Sequence, residues 1–435
     1  MDPAEFPNAV CSDGTPGVFY VRPGVGTDAN RWVIHLQGGS ACRDYESCLA
    51  RWCGQQGALP YTANKMSSDW DGDGVTDLAA HVTGPGMASS NPANAFSTWT
   101  HVWAYYCSSD AWQGRASDVT FTDGVNSFDL DARGHTILYA MRRMLRKNNP
   151  NSTWQAEGGY SVADLDAATD IVFTGTSAGA KGAITNADWF LSVFPSADRS
   201  LVLDANYDVS DAVLWNNDVW IDEDNDGVGD AEYYAARIQI LNDDWHPGGY
   251  SHAIDAFTDT TCRDWYEPLD AMDLCSQFST LLEFSIGGAP VIETPTFVRF
   301  DLSDPVISDE FTDHPNKGGF GLLIGGPNGT PTTLQDFRVM MRASLLEAYI
   351  DHDAVSGVIA PRCGQHVGLE DSQTFGFKLT PDTDETFTPP ALVVGTDTTV
   401  HDAIWDWLNV GGGGSRIDIR RLDTDQVGVR FSTCN

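Results

Sequence analysis

The sequence predicts an α/β fold in which a central, mostly parallel sheet is flanked by helices. Short β-branched or aromatic runs alternate with amphipathic stretches, and Gly, Pro, Ser or Asp residues bound several of these runs. The chain has 435 residues, of which 42% are hydrophobic, so it can bury a large core. We therefore expect a single domain over residues 1–435, with an irregular, acid-rich insertion or lid at 206–295.

Seven apolar runs are strand candidates, and four longer amphipathic stretches are helix candidates. The strands are predicted at 18–21, 32–36, 101–105, 171–174, 201–203, 296–300 and 357–359, and the helices at 129–147, 178–190, 334–349 and 400–408. The first helix would bury Leu130, Ile137, Leu138, Met141 and Leu145 on one face. Its last turn carries Arg and Lys side chains, which complement the dipole at a helix C-terminus.

The charge balance excludes several classes of protein. With 25 basic and 61 acidic side chains, the chain has a formal net charge of −36. Such a surface repels phosphate backbones and anionic membranes, so we expect no nucleic-acid partner. No stretch approaches 18 uninterrupted apolar residues, and we expect no membrane span. A monomer is the predicted state.

The cysteines indicate an oxidising compartment. Nine are present and none forms a CxxC pair, while the spacings Cys42/Cys48 and Cys262/Cys275 are typical of bridges that close short loops. Because nine is odd, at least one thiol is unpaired. The first residues lack the basic and apolar regions of a signal peptide. We therefore expect a secreted protein whose signal peptide is absent from this sequence.

The most specific motif is Gly-x-Ser-x-Gly at residues 175–179, between the strand candidate 171–174 and the helix candidate 178–190. A tight strand–turn–helix of this kind presents a serine hydroxyl above the sheet, as in α/β-hydrolases. The helix N-terminus that follows stabilises developing negative charge. Ser177 is therefore the predicted nucleophile, although a simple Gly-Ser turn would give the same five letters.

A serine nucleophile needs a histidine base and an acid that orients it, and in α/β-hydrolases they follow in the order Ser, acid, His. His366 lies in a Gly-flanked loop after the last strand candidate, where that base is expected. Asp304 follows the strand candidate at 296–300 and is the predicted acid. Asp301, three residues earlier, is the competing candidate.

The segment at 36–42 predicts an oxyanion hole. It reads Leu-Gln-Gly-Gly-Ser-Ala-Cys and directly follows an apolar strand, which is the position of the glycine loop in α/β-hydrolases. The backbone N–H groups of Gly39 and Ser40 would donate to the oxyanion, together with that of Ala178 after the nucleophile. An ordinary glycine turn is the alternative.

These motifs together resemble the pectin acetylesterase–Notum family of α/β-hydrolases. The similarity extends from about residue 17 to 425 and is thin across 190–295. Gln37 stands where the family usually has Glu, and Ser40–Ala41 replace a pair that contains Trp. The similar segments are 36–42, 106–114 (Tyr-Cys-Ser-Ser-Asp-Ala-Trp-Gln-Gly), 175–179 with 186–188, 334–338 and 403–407.

The resemblance implies a serine carboxylesterase with Ser177, Asp304 and His366 as its triad. It likewise implies that Gly39, Ser40 and Ala178 are the oxyanion donors. The spacings Cys42/Cys48 and Cys262/Cys275 fit disulfides of the family.

Two acidic loops predict calcium sites that the family resemblance does not cover. Both read D-x-D-x-D-G-x-x-D, in which alternating carboxylates converge on one hard cation and the glycine permits a sharp bend. Neither loop has Glu at position twelve, so both lack the full EF-hand ligand set. We expect one or two structural Ca²⁺ ions and no organic cofactor. The predicted ligands are Asp69, Asp71, Asp73 and Asp77 in one loop, and Asp222, Asp224, Asp226 and Asp230 in the other.

The sequence therefore predicts a secreted serine carboxylesterase that acts through an acyl-enzyme on a small or polymeric ester. Acetylated polysaccharide and longer acyl or aromatic esters are both candidate substrates. One alternative is a non-catalytic, calcium-dependent binding or adhesion protein. A peptidase or thioesterase on the same fold is another, since those enzymes share the triad chemistry.

Overall fold

A computed structural model describes about three fifths of the chain. The described residues are 1–53, 66–68, 86–146, 162–206, 245, 247, 249–283, 285–286, 289–302, 304, 306–307, 325–326, 330–331, 338, 341–342, 344–345, 348, 355–361, 365–370, 378–379, 398–408 and 419–422. The chain forms two compact units, Met1–Val202 with Asp244–Thr260, and Leu203–Asp243 with Thr261–Asn435. The boundary between them falls inside one strand. The prediction of a single domain over 1–435 stays a prediction.

All seven strand candidates overlap a strand, and the described residues contain nine further strands, six of which have only two residues. The strands are β1 (Phe19–Arg22), β2 (Arg31–Leu36), β3 (Thr100–Ala104), β4 (Ala116–Thr122), β5 (Ser127–Ala132), β6 (Asp170–Thr176), β7 (Asp198–Asp204), β8 (Ser285–Ile286), β9 (Ala289–Pro290), β10 (Thr296–Arg299), β11 (Gly325–Gly326), β12 (Thr330–Pro331), β13 (Val355–Ala360), β14 (Lys378–Leu379), β15 (Thr398–Thr399) and β16 (Ile419–Leu422). The helices are α1 (Tyr45–Trp52), α2 (Gly134–Leu145), α3 (Ala178–Leu191), α4 (Tyr250–Ala253), α5 (Thr260–Tyr266), α6 (Phe278–Glu283) and α7 (Val400–Leu408).

The first unit contains a mixed sheet with the strand order β1-β3-β2-β6-β7. Strand β2 pairs in parallel with both β3 and β6, and β1 pairs antiparallel with β3 at the edge. Helix α3 packs on β6 and β2. Phe190 of this helix stacks on Phe173 of β6 with ring centroids 4.7 Å apart. The core therefore lies directly beneath the turn that joins β6 to α3.

In the second unit, β10, β13 and β16 lie side by side and parallel. Helix α7 has the predicted bounds, and its buried side chains include Ile404 and Trp407. The ring of Trp407 lies 5.3 Å from that of Phe297 on β10. The predicted fold class, a mostly parallel sheet flanked by helices, is confirmed.

The helix predicted at 129–147 begins too early. Residues 127–132 form β5, which pairs with β4 in a hairpin, and the helix starts only at Gly134. Phe128 and Leu130 face Phe121 and Val119 across the hairpin. These cross-strand pairs follow the period-two alternation, which determines the local structure in place of the helical pattern. Leu130 therefore packs as a strand residue, while Ile137, Leu138, Met141 and Leu145 are buried by the helix as expected.

Parts of two other predicted elements fall outside the described residues. In the stretch predicted as a helix, 334–349, the six described residues are helical. Of the predicted insertion at 206–295, the segment 249–283 is described and contains α4, α5, α6 and short 3₁₀ turns. Among the described residues, no helix combines the length and apolar character needed to cross a bilayer.

Three disulfides are present among the described residues. The predicted pairs Cys42–Cys48 and Cys262–Cys275 are confirmed. The third, Cys11–Cys107, joins residues 96 positions apart, and no local spacing in the sequence indicates it. Cys53 is an exposed free thiol.

Removing the long-range disulfide should destabilise the protein more than removing the short one. A cross-link that closes a longer loop takes more entropy from the unfolded chain, so Cys11→Ser with Cys107→Ser should lower the free energy of unfolding by about 4 kcal/mol. The matched control is Cys42→Ser with Cys48→Ser, which removes a disulfide of sequence separation 6. Its loss in free energy of unfolding should be about 2 kcal/mol smaller. Urea unfolding measures both values. Equal losses would contradict this ranking.

Candidate active site

Ser177 occupies the sharp turn between β6 and α3. Its backbone has φ 56° and ψ −123°, a conformation that a non-glycine residue adopts only under strain. It precedes the first residue of α3, and its carbonyl accepts hydrogen bonds from the N–H groups of Ala180 and Lys181. The strained turn therefore places the serine at the N-terminus of a 14-residue helix.

The glycines around this turn are required because backbones approach each other with no room for a side chain. A Cβ at Gly175 would overlap the backbone of Gly179, and a Cβ at Gly179 would overlap the carbonyl of Leu36. A Cβ at Gly38 would overlap the carbonyl of Thr176 and lie 3.0 Å from the Ser177 Cβ. The glycine loop after β2 is thus packed directly against the serine turn.

The predicted oxyanion donors have N–H groups available for a ligand. Gly39 and Ser40 both have positive φ, at 142° and 58°. Within the part of the chain that the structure describes, neither N–H has a hydrogen-bond acceptor. Ala178 is the first residue of α3, where the N–H has no partner inside the helix.

Gln37 fixes the start of the glycine loop through three hydrogen bonds. Its N–H donates to the carbonyl of Ala104 at 3.2 Å. Its side-chain Oε1 accepts from the N–H of Tyr106 at 3.1 Å, and its carbonyl accepts from Trp112 Nε1 at 3.1 Å. An amide oxygen is enough for this side-chain role, because Gln37 Oε1 acts only as a hydrogen-bond acceptor here.

The segment 108–114 is organised around the buried carboxylate of Asp110. This carboxylate accepts hydrogen bonds from the Ser108 hydroxyl at 2.6 Å and from the N–H groups of Trp112, Gly114 and Gly134 at 3.0, 3.0 and 2.7 Å. Burial raises the pKa of Asp110, although these bonds favour the charged form. The Asp110 carboxylate thus binds the N–H of Trp112, and Trp112 Nε1 in turn donates to the carbonyl of Gln37 at the start of the glycine loop.

In the second unit, His366 is hydrogen-bonded to Asp304. The imidazole Nδ1 lies 2.9 and 2.8 Å from the two carboxylate oxygens of Asp304, which is fully buried. The N–H groups of Val306 and Ile307 donate to Asp304 Oδ1 and fix the carboxylate. Asp301, the competing candidate, accepts a hydrogen bond from the Gln365 N–H at 3.1 Å.

The environment of His366 favours its protonated form. Burial alone lowers the pKa of the imidazole. The hydrogen bond and the negative charge of Asp304, with the charge of Asp204, outweigh burial and the opposing charge of Arg299, so the pKa is raised above its usual value. A histidine held in this way binds a proton readily and keeps Nδ1 directed at its carboxylate.

The structure brings some of the predicted site residues together. It joins Asp304 to His366 in the second unit, and it packs the loop of Gly39 and Ser40 against the turn of Ser177 and Ala178 in the first unit. The eight aspartates of the predicted calcium loops, Asp69, Asp71, Asp73, Asp77, Asp222, Asp224, Asp226 and Asp230, lie outside the described residues.

Sequence reasoning missed the side chains that hold these loops in place. Trp112 belongs to a segment singled out only for its resemblance to the family, without a role. Asp204 and Arg299 are the last residues of strands β7 and β10, and no motif in the sequence indicates a role for them. A charged residue inside an apolar strand was the available signal, since a buried charge requires a partner.

Comparison with known proteins agrees with these motifs over the first half of the chain. Residues 1–207 match the family model described as Pectinacetylesterase. "Pectin acetylesterase 7" of Arabidopsis thaliana is 27% identical over 200 residues, which cover 46% of this chain and 42% of that protein. "Palmitoleoyl-protein carboxylesterase NOTUM" of Drosophila melanogaster is 28% identical over 178 residues, covering 41% of this chain and 22% of that protein.

The matched part of the chain spans less than half the length of these relatives. It contains the glycine loop, the segment 106–114 and the serine turn, and both relatives are esterases by name. The resemblance to the pectin acetylesterase–Notum family is thus confirmed over residues 1–207.

Proposed function

We propose that this chain is an extracellular serine carboxylesterase. The observation that carries the proposal is the strained Ser177 at a helix N-terminus, with a glycine loop packed against its turn. This arrangement is expected of a nucleophile that attacks a carbonyl and must place the resulting oxyanion beside backbone N–H groups. A calcium-dependent adhesion protein does not require a strained backbone at a serine.

His366 is the proposed base, and Asp304 the acid that orients it. With Nδ1–H donating to Asp304, Nε2 is the nitrogen that takes up the serine proton. The buried carboxylate holds the ring in this tautomer and stabilises the imidazolium that forms. The raised pKa of His366 is consistent with a group that must hold the proton briefly.

The proposed reaction has two steps. Ser177 Oγ bonds to the ester carbonyl carbon and gives its proton to His366, and the N–H groups of Gly39, Ser40 and Ala178 stabilise the oxyanion. The ester C–O bond then breaks, and His366 returns the proton to the leaving alcohol. Water then attacks the acyl carbon and gives a proton to His366. The bond from that carbon to Ser177 Oγ breaks, His366 returns the proton to Ser177 Oγ, and the carboxylic acid leaves.

We propose a broad carboxylesterase specificity. The names of the relatives point to two kinds of ester, acetyl groups on pectin and a palmitoleoyl group on protein. A net charge of −36 repels polyanionic pectate at low salt, so neutral acetylated polysaccharides and longer acyl esters are favoured. The three disulfides support an oxidising, extracellular compartment.

We also propose that the two acidic loops bind Ca²⁺ as structural ions. The repeat of one five-part pattern in two separate loops supports this, because each loop gathers carboxylates that repel one another without a cation. Neither loop contains a proposed triad or oxyanion residue. The ions would therefore stabilise the fold without taking part in acyl transfer.

Replacing the nucleophile should abolish turnover. Ser177→Ala removes the oxygen that forms the acyl-enzyme, so kcat on p-nitrophenyl esters from acetyl to palmitoyl should fall on the order of 10⁴-fold or more. Ser192→Ala, at the other end of the same helix, is the matched control and should keep wild-type kcat. A serine-directed phosphonate should label the wild type and the control but not Ser177→Ala. Residual kcat within tenfold of wild type would refute the assignment.

The pH profile should report the raised pKa of His366. Because only the neutral imidazole accepts the serine proton, kcat/KM should rise with pH through a midpoint above about 6.5, the usual histidine value. Asp304→Asn removes the charge that raises this pKa, so the midpoint should move to lower pH and kcat should fall far more than in Asp301→Asn. The reverse ranking would make Asp301 the orienting acid.

Calcium removal should lower stability but not turnover. A ligand that binds only the folded state at one hundred times its Kd adds about 2.7 kcal/mol to the free energy of unfolding, so EDTA should lower the Tm. The kcat near 25 °C should stay unchanged. Asp71→Asn with Asp224→Asn should lower the Tm in the same way and make added calcium ineffective. An unchanged Tm in EDTA, or lost turnover in folded protein, would contradict a structural role.

A further inference from the structure

A buried group of three charged side chains lies beneath the loop that carries His366. Arg299, the last residue of β10, places Nη1 3.0 Å from Asp204 Oδ1 and Nη2 3.6 Å from Asp301 Oδ2. Asp204 ends β7, and Asp301 follows β10 by two positions. All three side chains are fully buried, and the residues belong to the second unit.

The two carboxylates also bind the backbone of that loop. Asp204 Oδ2 accepts hydrogen bonds from the N–H groups of Gly368 at 2.8 Å and Leu369 at 2.9 Å. Asp301 Oδ2 accepts from the N–H of Gln365 at 3.1 Å. His366 is therefore flanked on both sides by backbone groups bound to buried carboxylates.

Arg299 also fills the space under the loop. A Cβ at Gly368 would lie 2.6 Å from Arg299 Nε and 2.7 Å from Cζ. Because the ion pair with Asp204 holds the guanidinium, this side chain cannot move aside without breaking a buried contact. The glycine therefore allows the loop to lie directly on the guanidinium.

Stability alone does not account for this arrangement. Desolvating three charges costs so much that buried ion pairs often add little to the free energy of folding. Residues 365–370 belong to no helix or strand, so no ladder of backbone hydrogen bonds fixes their position. Hydrogen bonds to the carboxylates at the strand ends fix the loop instead. A catalytic base requires such rigidity, because it must stay close to the group from which it takes a proton.

We propose that Asp204, held by Arg299, is a positioning residue that fixes the loop of the catalytic base His366 through its backbone. The inference rests on the proposed function, in which His366 is the base. Asp204 acts through the N–H groups of Gly368 and Leu369, and Asp304 acts on the imidazole itself.

Asp204 also contributes to the charge around His366. The charged groups that act on the imidazole are Asp304 and Asp204, which favour the imidazolium, and Arg299, which opposes it. Asp301 adds a further carboxylate at the Gln365 side of the loop. Replacing Asp204 with a neutral residue should therefore both loosen the loop and make His366 easier to deprotonate.

The test compares two variants that affect the loop differently. Asp204→Asn removes the charge and should lower kcat about 10- to 100-fold, with KM nearly unchanged. The midpoint of its kcat/KM profile should move to lower pH. Gly368→Ala pushes the loop off Arg299 but removes no charge, so kcat should fall while the midpoint stays near that of the wild type. Asp166→Asn, which alters a partly exposed ion pair with Arg146 in the first unit, is the control and should match the wild type.

Wild-type kcat and pH midpoint in a folded Asp204→Asn would overturn the proposal. If Asp204→Asn does not unfold cooperatively, Gly368→Ala becomes the test of the proposal. Wild-type kcat in Gly368→Ala would then overturn the proposal. The proposed function fails separately, if Ser177→Ala keeps its activity. In that case NMR titration of labelled histidine still tests the positioning role, because Asp204→Asn must lower the pKa of His366. An unchanged pKa there overturns it.

Discussion

The register between β2 and β6 is the constraint on which the rest of the first unit depends. Leu36 pairs with Gly175, so both strands end at the same level and their following turns emerge side by side. Gly38, Gly175 and Gly179 then let the two turns touch through their backbones. A slip by one residue would turn every side chain of the strand to the opposite face and separate the loop from Ser177.

The two units fix their functional loops by different electrostatic means. In the first unit, the neutral groups of Gln37 and Trp112 and the single carboxylate of Asp110 meet backbone N–H and C=O groups. In the second unit, the charged side chains of Asp204, Arg299 and Asp304 lie around the loop of His366. The first unit therefore relies mainly on hydrogen bonds to backbone groups, whereas in the second unit the net negative surroundings favour the protonated form of His366.

The sequence predicted local features better than distant pairings. The Ser177 turn and the bounds of α7 could be predicted because strand, turn and helix signals are contiguous there. The β4–β5 hairpin was missed because a helical periodicity competed with the alternation of Phe128 and Leu130. The Arg299–Asp204 pair could not be foreseen from one sequence, since its partners are 95 positions apart and meet only when β7 and β10 have formed.

The disulfide between Cys11 and Cys107 lies next to the segment that supports the glycine loop. Ser12 donates its N–H to the carbonyl of Cys107, and Ser108, the next residue, bonds to Asp110. Oxidation of this one pair thus anchors the N-terminal end of the chain to that segment. A polypeptide in which these two cysteines stay reduced would lack this covalent anchor, so the support of the glycine loop would be complete only after oxidation.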